Sequence, residues 1–323
     1  MDGLINVLKP PGITSHDLVL YLRKLFNTQK IGHTGTLDPG AAGVLPVCIG
    51  QGTRVAEYLM DKSKRYRGEM IIGIRTETYD TGGEITHKSA PVRVEPKQIE
   101  DIFQSLTGEI KQVPPMVSAV HYQGKRLYDL ARQGKIVERK PRKVFIYSLK
   151  VLRIKNHDPH PSILFDIICS KGTYVRSICA EVGERLGFGA CLSFLIRTES
   201  GPFRLENAFT LEEIKELWDK EDSTFLLPID YALQDLPAFT VKEQAIRNIV
   251  NGLPLTPSGI MGGIGNTNLP LLVRLYAPNG IFLALGEYQS HLGGRWLYKP
   301  KKVFRFWQQQ NYPLEGVHAD EGD

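Results

Sequence analysis

The sequence predicts an α+β protein, with a mixed, mostly antiparallel central sheet and flanking helices over residues 1–227 and a small β-rich unit over 228–312. Three observations carry this. Apolar runs of strand length, such as 4–8, 44–49 and 163–169, are interspersed with stretches of helical spacing such as Leu18, Leu22 and Leu25. The β-branched runs 144–154 and 163–169 are joined only by the polar segment NHDPHP, a hairpin loop that makes its strands antiparallel neighbours. Near Leu227 the composition changes: Pro228, Pro237, Pro254, Pro257 and the glycines of 259–265 mark a linker and turns, and 271–273 and 281–285 read as short strands.

A chain of 323 residues with 42% hydrophobic content can bury a sizeable core, and its net charge of +5 is compatible with a polyanionic partner. Cys48, Cys169, Cys179 and Cys191 form no CxxC pair and have no metal-type spacing with histidine, so the expectation is reduced thiols, no metal and a cytoplasmic protein. No signal-like N-terminus is seen, and no apolar run approaches the roughly 18 residues that cross a bilayer.

In chain order, strand 4–8 ends at Lys9-Pro10-Pro11-Gly12, and Ser15 is expected to cap a helix running to Leu25. Residues 30–48, KIGHTGTLDPGAAGVLPVC, follow. Here Asp38 is framed by glycines, and Pro39 pushes it out of the α region. The carboxylate therefore sits on a loop at the mouth of a buried strand, with His33 nearby. In KSKRYRGEMIIGI, Tyr66 stands at a strand start among basic residues including Lys64, an arrangement suited to a stacked base and its phosphates. The segment 75–84, RTETYDTGGE, is a polar hairpin or loop that carries Asp80.

A helix over 96–106 is stopped by Gly108. Between residues 125 and 143 lie eight Lys or Arg, among them Arg126 and Arg132, against Asp129 and Glu138, with tyrosines interleaved. This segment reads as an RNA surface rather than only a solvated face. After strand 163–169, SKGTYVRS opens a helix with Val175, Ile178, Val182 and Leu186 at helical spacing and Tyr174 and Arg176 in its first turn. An arginine there opposes the helix dipole, so it needs an acidic partner, and Asp38 is the candidate. FLIRT (194–198) brings Leu195 and Arg197, and Thr210 with Glu213 forms a capping box for a further helix. The segment LYKPKKVFRFW interleaves Lys299 and three other basic residues with Tyr298, Phe304, Phe306 and Trp307. Residues 313–323 read as an acidic, disordered tail.

GHTGTLDPGAAGVLP resembles the nucleophile loop of the bacterial tRNA pseudouridine-55 synthases, the TruB family, and the resemblance extends to KPPGITSHD, TETYDTGG, the Pro-Pro-Met-to-Arg132 stretch, GTYVRS and FLIRT. It implies the pseudouridine synthase fold, with Asp38 as catalytic aspartate, Tyr66 stacking on the target uracil and assisting proton removal, and Arg176 pairing with Asp38. It further implies that Asp80 supports this arginine, that His33, Tyr174 and Leu195 line the pocket, and that Lys64, Arg126, Arg132 and Lys299 contact RNA. The last segment looks like the PUA-type RNA-binding module. No cofactor is implied. The partner would be the T-arm stem-loop of tRNA, bound by a monomer. Other readings are a non-catalytic binder of structured RNA, a guide-RNA-dependent synthase subunit, and a nucleoside hydrolase. The last needs two facing carboxylates, for which Asp80 is the second candidate.

Overall fold

The computed structural model describes residues 1–304 except 119, 157–158, 263–268 and 291–295, with the side chain of Arg126 also outside the description. Arg305, Phe306, Trp307 and the expected acidic tail therefore lie outside the described residues. The chain divides into two units, one of Met1–Leu227 and one beginning at Pro228.

In the first unit, β1 (Gly3–Lys9) is buried almost throughout, as its unbroken apolar run requires. The following α1 (Ser15–Leu25) is capped by Thr14 rather than by Ser15: Thr14 Oγ1 accepts from Asp17 N at 3.0 Å, and the Asp17 carboxylate accepts from Thr14 N at 2.9 Å. Ser15 is left free for another task. Next come β2 (Ile31–His33), β3 (Ala42–Ile49), the short α2 (Ala56–Met60) and β4 (Lys64–Ile72). The polar hairpin expected at 75–84 is bracketed by β5 (Ile74–Thr76) and β6 (Ile85–Lys88), which pair with each other. After α3 (Pro96–Ser105) and β7 (Gly108–Gln112), the basic segment forms β8 (His121–Tyr122), β9 (Lys125–Arg126) and α4 (Leu127–Arg132). The hairpin β10 (Arg142–Lys155) and β11 (Ser162–Cys169) leads into α5 (Val175–Leu186), β12 (Ala190–Ser200), β13 (Phe203–Arg204), α6 (Leu211–Asp219) and β14 (Leu226–Leu227).

The main sheet runs β14-β1-β3-β12-β4-β11-β10-β7, with β2 added to β3 and β13 to β12. Its pairings are antiparallel except that of β3 with β12. One face is packed by Leu18, Leu22, Ile99, Phe103, Ile178 and Val182 of α1, α3 and α5, which close a single core over Val47, Phe165 and Ile167. Two glycines permit the close approaches. A Cβ on Gly183 would meet Ala190 N at 2.0 Å, so only glycine lets α5 lie this near β12. Gly43 has φ +112°, and a Cβ there would meet the Arg197 carbonyl at 2.2 Å, which sets the β3–β12 junction.

The second unit holds β15 (Ala238–Thr240), α7 (Glu243–Val250), β16 (Leu272–Tyr276), β17 (Phe282–Ser290) and β18 (Trp296–Val303) in a sheet ordered β15-β16-β17-β18. Ile246 and Ile249 of α7 join Val273, Leu275 and Leu283 in a separate core. Tyr298 and Phe304, read from the sequence as part of an RNA surface, are wholly buried and belong to the interior. The charges between them suggest a binding face, but strand alternation sends the rings inward and leaves Lys299 outside.

Candidate active site

The site assembles at the β3–β12 junction. In β12, Arg197 lies beside Gly43 of β3 on one side and Tyr66 of β4 on the other, which sets the three in one row across the sheet. Tyr66 is half-buried and packs against the core, and Leu195 is nearly buried one step along on the same face. The β2–β3 loop lies over this end of the sheet and is pinned from below. Ser15 Oγ accepts from Leu37 N at 2.9 Å and donates to Leu37 O at 3.2 Å, fixing the residue before Asp38. Lys9 has no exposed surface, and its Nζ donates to the carbonyls of Pro10, Pro39 and Ala41 at 2.9, 3.3 and 2.7 Å. Burial pushes the Lys9 pKa down to about 8, against the pull of Asp38.

Arg176 is the second residue of α5, two places after Tyr174 at its N-cap, and is 3% exposed. Its Nε and Nη2 hold the two Asp38 oxygens at 2.9 and 3.1 Å, a planar fork on a carboxylate. Nη2 also donates to Val117 O at 3.0 Å and Nη1 to Thr78 O at 3.0 Å, while Asp80 forms an ion pair with Nη1 at 3.4 Å. Nη1 and Nη2 thus make three hydrogen bonds, to Thr78 O, Asp38 and Val117 O, and the contacts of Nε with Asp38 and of Nη1 with Asp80 add two ion pairs. Asp80 is itself fixed by Thr78 Oγ1 at 2.6 Å and Gly82 N at 3.0 Å. The Asp38 pKa is raised, because the enclosing walls disfavour its charge and Asp80 adds repulsion, while Arg176 and Lys9 pull the other way. Tyr66 is likewise raised by burial, opposed chiefly by the Arg197 guanidinium. Arg197 is buried and donates from Nε to Val44 O at 2.7 Å and from Nη2 to Gly35 O at 3.1 Å.

The structure thus brings together Asp38, Arg176 and Asp80, with Tyr66 and Leu195 on the sheet beneath. His33 ends β2, and its Nδ1 accepts from Gly35 N at 3.3 Å. Burial lowers its pKa, aided by the nearby Arg197, so the neutral ring is favoured. Tyr174 is held through its backbone by Gln112, whose Oε1 accepts from Tyr174 N at 2.8 Å and whose Nε2 donates to Tyr174 O at 3.0 Å.

Lys64 is a correction. It is 6% exposed, and its Nζ closes the end of α2 on the carbonyls of Met60 and Lys62 at 2.6 and 2.7 Å, so it makes no phosphate contact. Arg65 and Arg67 point to the opposite face of β4, where both pair with Asp166. In the basic segment Arg132 is exposed, its guanidinium 5.5 Å from the Tyr128 ring centre. The Arg126 side chain lies outside the described residues. Lys9, Ser15 and Gln112 were not singled out by the sequence as site residues. The cue for Lys9 was a lysine at the end of an apolar strand, directly before two prolines that hold carbonyls in fixed positions.

Among the described residues no cluster of His, Cys, Asp and Glu is poised to hold a metal, and no helix is long and apolar enough to cross a membrane. Comparison with known proteins bears on the same stretch. The family model for the N-terminal domain of TruB family pseudouridylate synthases matches residues 23–175, and that for the C-terminal domain of tRNA pseudouridylate synthase B matches 176–234. The tRNA pseudouridine synthase B of Moorella thermoacetica is 46% identical over 311 residues, covering 94% of this chain and 99% of the relative. That of Alkaliphilus oremlandii is 48% identical over 252 residues, covering 78% and 82%. Among solved structures, a Cbf5-Nop10-Gar1 complex superposes with a TM-score of 0.70 at 29% identity, over 94% of this chain and 85% of the other. With the Asp38 loop, Tyr66 and Asp80 in the first matched segment and Arg176 opening the second, the chain belongs to the TruB family of pseudouridylate synthases.

Proposed function

We propose that this protein isomerises uridine 55 in the T-loop of tRNA to pseudouridine, with Asp38 as nucleophile and without a cofactor. One observation carries the reading: a carboxylate at a loop mouth paired through both oxygens with a buried guanidinium that is itself anchored on two backbone carbonyls. The reaction breaks the N1–C1′ bond, turns the uracil and joins C5 to C1′. Asp38 adds to an electrophilic carbon, C6 of the ring or C1′ of the ribose, and splits the exchange into two easier steps. Arg176 and Lys9 favour the ionised carboxylate against burial and aim its free lone pairs at the pocket. Once C5 is bonded to C1′, its proton leaves. Tyr66 takes part in that transfer, its hydroxyl held neutral by burial and faced by Arg197.

The target base must first leave its stack, at a cost of a few kcal/mol offset by stacking on Tyr66 and contacts to its edge. His33, neutral and rigidly held, fills the space it vacates in the RNA. Recognition rests on the shape of a loop with an extruded base, because A-form grooves expose few base edges. Arg126 and Arg132 of the basic segment and Lys299 of the second unit act through phosphates, and the second unit serves as a PUA-like RNA-binding module. The protein acts as a monomer in the cytoplasm. A stand-alone enzyme is favoured over a guide-RNA subunit by the near full-length identity to relatives named tRNA pseudouridine synthase B.

The decisive experiment is to incubate the pure protein with an unmodified tRNA transcript and map pseudouridine at single-nucleotide resolution. A single new pseudouridine in the T-loop with RNA mass unchanged supports the reading. Release of free uracil points instead to a hydrolase, and no change at all to a non-catalytic binder.

A further inference from the structure

Tyr66, Leu195 and Arg197 occupy one face of the sheet. The strand register builds the other face just as definitely. One row across β10, β11, β4 and β12 is Arg153, Leu164, Glu69 and Phe194, and the next is Lys150, Asp166, Arg67 and Ile196. Phe194 is 47% exposed although it lies on a central strand. With Glu69, Arg153, Lys155, Ser162 and Leu164 it lines a shallow depression of about 230 Å³.

The acids on this face are already engaged. Asp166 takes Arg65 and Arg67, Glu199 takes Arg65 and Arg204, and the Glu69 carboxylate accepts from the hydroxyls of Ser162 at 3.1 Å and Ser193 at 3.3 Å. Among the described residues Lys150, Arg153 and Lys155 have no carboxylate partner. Along β10 the same face exposes Phe145 and Tyr147, whose ring centres are 4.9 Å apart.

We infer that this face is a second RNA-binding surface, which holds a single-stranded segment by stacking on Phe194 and the Phe145–Tyr147 pair and by phosphate contacts to Lys150, Arg153 and Lys155. Unpaired cations beside open, flat rings match the chemistry of an unpaired polynucleotide, whose bases stack and whose phosphates need counter-charge. An acidic peptide fits less well. β4, β11 and β12 are paired on both edges, so no free strand edge is available for a peptide to extend. The surface lies across the sheet from Asp38, so a strand bound there does not compete with a loop in the active site.

The test uses the full chain and a fluorescent 12-nucleotide RNA of adenosine and cytidine only, which offers no uridine to Asp38. Its outcome is therefore independent of the proposed reaction. Anisotropy is read against salt for wild type, Phe194→Ala and Arg153→Gln/Lys155→Gln, with thermal melts to show that these surface variants stay folded. Phe194→Ala is expected to weaken binding roughly 5- to 150-fold with an unchanged salt slope, as for loss of a stacked base. The double variant should lower the log-log slope by about 1.4, at ~0.7 for each phosphate no longer neutralised. A saturating T-arm hairpin should leave the probe bound. Three results would each overturn the inference: affinities within twofold and equal slopes in all variants, one-for-one displacement by the hairpin, or a polyglutamate peptide of equal charge binding as tightly with the same sensitivity to Phe194.

Discussion

Arg176→Lys keeps the positive charge and removes the fork. Lysine has a compact ammonium in place of the planar fork, so it cannot reach all the groups around Arg176, which are both Asp38 oxygens, Asp80, Thr78 O and Val117 O. A hydrogen bond to a charged group contributes about 1.5–3 kcal/mol, so losing one arm of the Asp38 fork should slow the chemical step by roughly 10- to 150-fold. The carbonyls left bare cost a further ~1–3 kcal/mol each in stability. The assay is release of tritium from C5-labelled uridine in a T-arm hairpin under single-turnover conditions across pH. Arg176 lowers the Asp38 pKa against burial, so weakening that pull raises it, and the acid limb of the rate profile moves to higher pH. An Arg176→Lys enzyme within threefold of wild type and with an unmoved acid limb would refute the pairing as the source of reactivity.

Asp38→Asn should abolish turnover while tRNA affinity stays within a few-fold. Because the folded-state pKa of Asp38 lies above 3.8, its carboxyl supports the fold below that value and the contribution is lost as pH rises through the raised pKa, so the Tm of Asp38→Asn relative to wild type should rise over that pH range. Lys9→Met strands three carbonyls around the Asp38 loop and should lower stability by about 3–5 kcal/mol in urea titrations, with activity falling alongside. Gly43→Ala drives a Cβ into the Arg197 backbone and should cost ~3 kcal/mol or more, visible as a large drop in Tm. Neutralising Lys125, Lys135 and Lys140 together should flatten the salt dependence of tRNA binding by roughly 0.7–0.9 for each phosphate no longer neutralised, whereas Lys64→Gln, buried as it is, should leave the slope unchanged.

Much of the site was legible in the chain because its oddities were local. An aspartate framed by glycines and followed by proline, and an arginine in a first helical turn where the dipole disfavours it, each lacked an ordinary explanation, and the structure joins them. What could not be read was which way a side chain faces when its neighbours look alike. KSKRYR reads as one basic cluster, yet Lys64 turns inward to close a helix end, and Arg65 and Arg67 serve the far side of the sheet. Tyr298 and Phe304 misled for the same reason: their basic neighbours hid an interior alternation. The cap shifted from Ser15 to Thr14 because both hydroxyls suit the position, and only the long-range bond to Leu37 takes Ser15 out of contention. α7, with Ala245, Ile246 and Ile249 at helical spacing, was readable but was obscured by the prolines around it.

The parallel pairing of β3 with β12 has a consequence for how the protein comes into being. Ala42 meets Ile196 only after the entire intervening chain has found its place, and Asp38 meets Arg176 across 138 residues. Contacts of such sequence separation form late, since loop closure must precede any gain from them. During synthesis the hairpins and α1 can fold as they emerge, but the Asp38–Arg176 pair is not held in place until β12 has been made and has slotted between β3 and β4. Truncation before residue 200 should therefore yield a fragment with much of its local structure and no trace of the site, and refolding kinetics should show activity returning in the slowest phase, behind the recovery of helical signal.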